Sequence, residues 1–173
     1  MKRDLILWQV GGLTFTAVLG TLLHFVYDWI KIPFIAPISA LNESTWEHMK
    51  ILFFPMLFFT LIQYFFFRYE YVNFWCVKFN GCLIGLILIP VLFYTYNGAI
   101  GKSPDWVNIA IFFVAAGACY AYEYKCFKNQ TICKRALFAF IGLIAVAALF
   151  ILFSYLPPKI PLFKDPISCL YGF

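Results

Sequence analysis

The sequence predicts an all-α integral membrane protein, a bundle of about five transmembrane helices, on three observations. Hydrophobic residues make up 64% of the 173 positions, charged residues only 12%, and the mean hydropathy is +0.84. Soluble domains are roughly half apolar. Five windows of about 20 apolar residues, each able to cross roughly 30 Å of hydrocarbon, lie near 5–30, 46–67, 72–96, 105–124 and 136–156. Little chain is left between them, so residues 1–173 are expected to form a single membrane domain with no separate soluble part.

The first window follows Lys2 and Arg3, lacks a small-residue cleavage site and is stopped by Pro33 and Pro37, so it is expected to stay as a span. Trp8 and Trp29 mark its ends, 21 residues and about 31 Å apart. The second begins at Ser44-Thr45-Trp46-Glu47, a capping box in which Ser44 accepts from the Glu47 amide and the Glu47 carboxylate reaches back to the Ser44 amide. Trp46 is expected at the membrane interface. Pro55 and Pro90 are expected to kink the second and third spans. Gly81 and Gly85 suit close helix packing, within the chain or across a dimer. The fourth span carries Glu123 near its end, where snorkelling or pairing with Lys125 accounts for it. The fifth ends at Pro157-Pro158, and the proline-rich tail 157–173 is expected to be non-helical and to pack over the helix ends.

Charge orients the bundle. With the N-terminus cytoplasmic, eight of the 13 cationic residues lie inside, including Lys2, Arg3 and Lys78 and the short 125–135 loop with Lys125, Lys128, Lys134 and Arg135. That loop suits anionic headgroups, and the net charge of +5 needs no nucleic-acid partner. The bilayer is the expected partner, with a homo-oligomer or another membrane protein left open. The six cysteines include no C-x-x-C pair, which argues against thiol-redox chemistry and a thiolate zinc knot; they read as small hydrophobes.

Both histidines and five of the eight acidic residues then fall on the outer side. Gly12, Thr16, Gly20, His24 and Asp28 recur every four residues and are expected to face protein. The expected polar cluster is His24, Asp28, Glu43, Glu47, His48 and Asp165, at the outer ends of the first two spans. Two imidazoles and nearby carboxylates suit zinc or another divalent cation, with His24, His48 and Glu47 as ligands. Ser44 and Glu47 also have the helix-capping role. No H-E-x-x-H, G-x-S-x-G or phosphate-binding glycine loop is present, so no catalytic residue can be named. Three functions stay open: a metal-dependent hydrolase at the outer leaflet, a small permease or binding protein, or a structural subunit whose polar cluster clamps the tail.

The segment Leu41-Asn42-Glu43-Ser44-Thr45-Trp46-Glu47-His48-Met49-Lys50 with Phe53-Phe54-Pro55 resembles the signature of a family of small bacterial multi-span membrane proteins of unknown function. Pro157-Pro158, Leu162-Phe163, Asp165-Pro166 and Tyr171-Gly172 resemble that family's ending. The resemblance implies a multi-pass protein of the bacterial plasma membrane, and carries no reaction or ligand with it.

Overall fold

A computed structural model describes residues 2–130, 133 and 135–172. Its helices are α1 (Lys2–Ile30), α2 (Thr45–Phe67), α3 (Phe74–Ala99), α4 (Asp105–Lys128) and α5 (Ala136–Tyr155), with single 3-10 turns at Pro33–Ile35 and Pro161–Phe163. All five helices are long and apolar enough to cross a membrane. The expected windows differ from them by a few residues at their ends. α3 starts later because the chain first makes a turn closed by Tyr71 N–H to the Phe67 carbonyl. Lys134, expected in the basic loop, lies outside the described residues, as do the side chains of Lys2 and Arg3.

Helices α1 to α4 form a ring in which each packs on the next and α4 returns to α1; α5 lies outside it against α3. α2 supplies much of the interior, burying Leu52, Phe53, Phe54 and Met56. α5 leaves Leu137, Phe138, Ile141 and Ile144 exposed. Large apolar side chains turned outward along whole helices are what a hydrocarbon surround permits and water does not.

Glycine sets the approach at two contacts. Pro55 has no N–H, so the carbonyl of Ile51 loses its helical donor. α1 meets α2 at that carbonyl: a Cβ on Gly20 would come within 2.9 Å of the Ile51 oxygen and 2.7 Å of Phe112. Between α3 and α4, a Cβ on Gly85 would meet Cys119 Sγ and Leu52, both at 2.6 Å. The small-residue spacing in α3 is therefore used for packing within the chain.

Two expectations are corrected. Trp46 is not an interface anchor: it is buried, its ring 4.5 Å from both Phe150 and Phe163, whereas Trp29 and Trp106 are exposed. The cysteines are not all small hydrophobes. Cys76 and Cys133 form a disulfide with Cα atoms 6.0 Å apart, tying the start of α3 to the segment before α5. The pair is 57 residues apart, beyond what local spacing reveals. It sits at the end with Arg68, Lys125 and Lys128, which the cationic bias assigns to the cytoplasm; reducing compartments keep such pairs as thiols.

The tail packs over the helix ends through Phe163, which also meets Phe153 at 5.6 Å, and through Asn42 Nδ2, which donates to the Gly172 carbonyl at 3.0 Å. Asp165 closes the tail on itself, accepting from the Ile167 amide, the Ser168 amide and the Ser168 hydroxyl. Burial pushes the Asp165 carboxyl up, but these bonds, with one from the Glu43 amide, outweigh it and hold the carboxyl below its ordinary 3.8. A depressed carboxyl stabilises the fold above its unfolded pKa and loses that contribution as pH falls through the folded value. The Ile167 and Ser168 amide resonances should therefore titrate together with a midpoint below 3.8. A midpoint at or above that value would remove the assignment.

Candidate metal centre and its cavity

Helix geometry sorts the expected cluster into separate groups. Glu47 and His48 are neighbours in the first turn of α2, so their side chains leave the helix about 100° apart. They serve different sites.

His48 turns toward α1. Its Nδ1 lies 3.0 Å from the Ser44 carbonyl, and a carbonyl can only accept, so Nδ1 carries a proton; in the neutral imidazole the lone pair is then on Nε2. That lone pair faces Glu43, with His48 Nε2 3.6 Å from Glu43 Oε2. The other Glu43 oxygen, Oε1, lies 3.4 Å from His24 Nε2. Ligand atoms of His24, Glu43 and His48 all fall within 4.8 Å of one another. Ligands around a tetrahedral zinc ion at about 2.0–2.1 Å are separated by about 3.3 Å, so these three need to move only slightly to hold one. The Ser44 carbonyl gives His48 the kind of outer partner that fixes a ligating imidazole.

The trio opens onto a cavity of about 450 Å³ bounded by α1, α2, α3, α4 and the tail. Its polar lining includes Asn97, Lys102, Ser103, Asp105 and Asn108 beside the trio. Its apolar lining includes Phe25, Phe93, Ile109, Phe112 and Phe113. A smaller chamber of about 20 Å³ adjoins Glu43 and His48, room for a single water molecule. Further along α1 the ring is filled: Thr16 Oγ1 bonds the Tyr120 hydroxyl at 2.7 Å, and a Cβ on Gly12 would come within 2.5 Å of both Phe59 and Tyr120.

Glu47 leaves the expected ligand set. Its Oε2 contacts Lys50 Nζ at 2.5 Å and accepts from the Leu41 amide at 3.0 Å. Lys50, fully buried, also donates to the Ala36 carbonyl at 2.7 Å and to Ser154 Oγ at 3.0 Å. This pair fastens the 31–44 connection to α2 and α5. Only half of the capping box forms. Ser44 accepts from the Glu47 amide at 3.4 Å, but the Ser44 amide donates to Asn42 Oδ1, because Glu47 is engaged elsewhere.

Asp28 and Asp165 also stand apart from the trio. Asp28 is exposed, and no hydrogen bond or ion pair joins it to His24 among the described residues. Each step of four residues turns a helix by about 40°, so the stripe through Gly12, Thr16, Gly20 and His24 has rotated out of the interface by Asp28. Asp165 is occupied within the tail, while its neighbours Pro166 and Ile167 form part of the cavity wall.

Sequence reasoning missed the most deeply buried ion pair. Lys78 Nζ of α3 donates to Glu123 Oε2 of α4 at 2.6 Å, with both residues at most 1% exposed. Glu123 neither snorkels nor pairs with Lys125. A Cβ on Gly81 would come within 2.9 Å of the Glu123 carboxylate, so this glycine makes room for the pair. Gln9 and Gln63, also buried, leave both amide atoms without partners among the described residues. All four lie one to two turns from the basic end of their helices. The only signal in sequence is an acidic and a basic residue at similar depth on successive spans.

Five helices long and apolar enough to cross a membrane, packed on an apolar core with a few buried polar groups, define a polytopic helical membrane protein. Residues 2–173 match the Family of unknown function (DUF6512), and the chain belongs to that family, as its resemblance to a family of unknown function implied. No curated protein and no solved structure matches the chain.

Proposed function

We propose that this is a metal-dependent protein of the bacterial plasma membrane, with a divalent cation, zinc by ligand type, held by His24, Glu43 and His48 at the outer face. The observation that carries this reading is the convergence of His48 Nε2 and His24 Nε2 on the two oxygens of Glu43, with His48 Nδ1 held by the Ser44 carbonyl. A carboxylate that only balanced charge would not need the imidazole fixed from behind. Three protein ligands beside a cavity leave a coordination position open, which is the pattern of catalytic rather than structural zinc. A metal so placed polarises a carbonyl or phosphoryl oxygen and generates a nucleophile from bound water, the chemistry of a hydrolase. The filled ring around Thr16, Gly12 and Tyr120 favours this over a permease, which needs a path through. The cationic bias of the opposite end supports a cytoplasmic N-terminus, and the Cys76–Cys133 disulfide at that end counts against it.

Metal analysis of the purified protein tests the reading. Wild type should carry about one zinc per chain. His24→Ala, Glu43→Gln and His48→Ala should each lose more than the roughly tenfold to hundredfold in affinity that outer-sphere changes cost. Glu47→Gln should keep the metal. Protein that holds none after zinc loading, and whose melting temperature ignores chelator, would rule the site out.

A further inference from the structure

We propose that the cavity beside this centre binds an anionic membrane lipid, whose headgroup meets the metal and Lys102 and whose acyl chains leave sideways between α1 and α4. The inference rests on the metal reading and adds its ligand class. The cavity is polarised along its length. Lys102, Ser103, Asn97 and Asn108 line it beside the trio, while Ile109, Phe112 and Phe113 line it along α4. Ile109 and Phe113 lie one and two turns into α4 from Asp105, about 6 and 12 Å toward the membrane centre. The chamber therefore runs from the connection at the membrane edge down into hydrocarbon depth.

The apolar end is not walled off. Phe25 on α1 and Ile109 and Phe113 on α4 line the cavity and are 44%, 58% and 47% exposed. Exposed apolar side chains on both helices at that depth are what acyl chains leaving between α1 and α4 would lie against. A water-soluble ligand has no use for such a wall, whereas a lipid needs both ends at once.

Charge selects the headgroup. Among the described residues, Lys102 is the only lysine or arginine in the lining, against the carboxylates of Glu43 and Asp105. These sum to one negative charge, which a divalent ion converts to one positive charge. Anionic lipid should thus bind the metal-loaded protein and strengthen metal binding in return, since the two affinities are linked reciprocally.

Native mass spectrometry of the detergent-solubilised, zinc-loaded full chain provides the test, with phosphatidylglycerol, phosphatidylcholine and glycerol 3-phosphate as probes. Phosphatidylglycerol should be retained at least about fivefold over phosphatidylcholine. That preference should vanish on chelation and drop by about fivefold in Lys102→Gln, an exposed position whose change leaves the fold intact. Glycerol 3-phosphate, a phosphomonoester more strongly charged than the lipid's phosphodiester but without chains, should not displace the lipid. Equal retention of the two lipids, or displacement by glycerol 3-phosphate, overturns the inference. Zinc content read on the same samples separates the failures: zinc without lipid preference overturns this inference alone, and absence of zinc overturns the metal reading beneath it.

Discussion

Glu123→Gln is expected to destabilise the purified protein by about 3–5 kcal/mol, because it leaves the Lys78 ammonium buried without its counter-charge. Lys78→Met should do the same in reverse. Neither group can reach water: Lys78 is 1% exposed and Glu123 0%, with the rings of Phe59, Tyr120 and Phe127 all within 6.0 Å of the ammonium. The partner, not the solvent, neutralises each charge. Removing both charges together, as Lys78→Met with Glu123→Leu, should recover most of the loss, since a packed apolar pair can replace a buried ion pair at little net cost. Thermal unfolding of the three variants in one detergent is the measurement. Single variants that melt with wild type would show that the pair is not buried as described.

A second large loss is expected for Lys50→Met, again about 3–5 kcal/mol, for the same reason at the opposite end of the bundle. Three acceptors surround Lys50 Nζ: the Glu47 carboxylate, the Ala36 carbonyl and Ser154 Oγ. Methionine fills the volume and satisfies none of them. The 31–44 connection should loosen with it, which faster hydrogen exchange at the Leu41 amide would reveal, because that amide donates to Glu47. Zinc content should be largely retained. Glu43→Gln should show the opposite pattern: metal is lost, while the stability measured without metal barely changes, because the Glu43 side chain is 41% exposed. If Lys50→Met and Glu43→Gln gave the same phenotype, the division of the outer carboxylates into a clamp and a ligand would fail.

These variants mark where sequence reading stops. The two histidines and Glu43 were all legible as members of the cluster, since ionisable groups beside hydrocarbon are costly and few. The sequence placed Glu47 beside His24 and His48 as the ligand and Glu43 only within the wider cluster. Adjacency in a helix separates side chains by about 100°, and Lys50, three residues along, lies on the face that Glu47 shares. Lys78 and Glu123, 45 residues apart, meet only because α3 and α4 pack antiparallel at a depth that Gly81 permits. The Cys76–Cys133 bond is equally nonlocal.

By itself the sequence determined that this chain lives in a membrane, that it crosses about five times, where each helix begins and ends to within a few residues, and that both histidines and most of the acidic residues fall at one end. All of that follows from local quantities: hydropathy summed over a window, proline and capping residues at fixed offsets, and the rarity of charge. Only the tertiary structure decided which charges are spent on holding helices together and which remain free to bind. In a protein whose lipid face and core are both apolar, periodicity does not distinguish the faces of a helix. Helix rotation then decides the partners, and rotation is set by contacts such as Gly20 against the Ile51 carbonyl and Gly85 against Cys119.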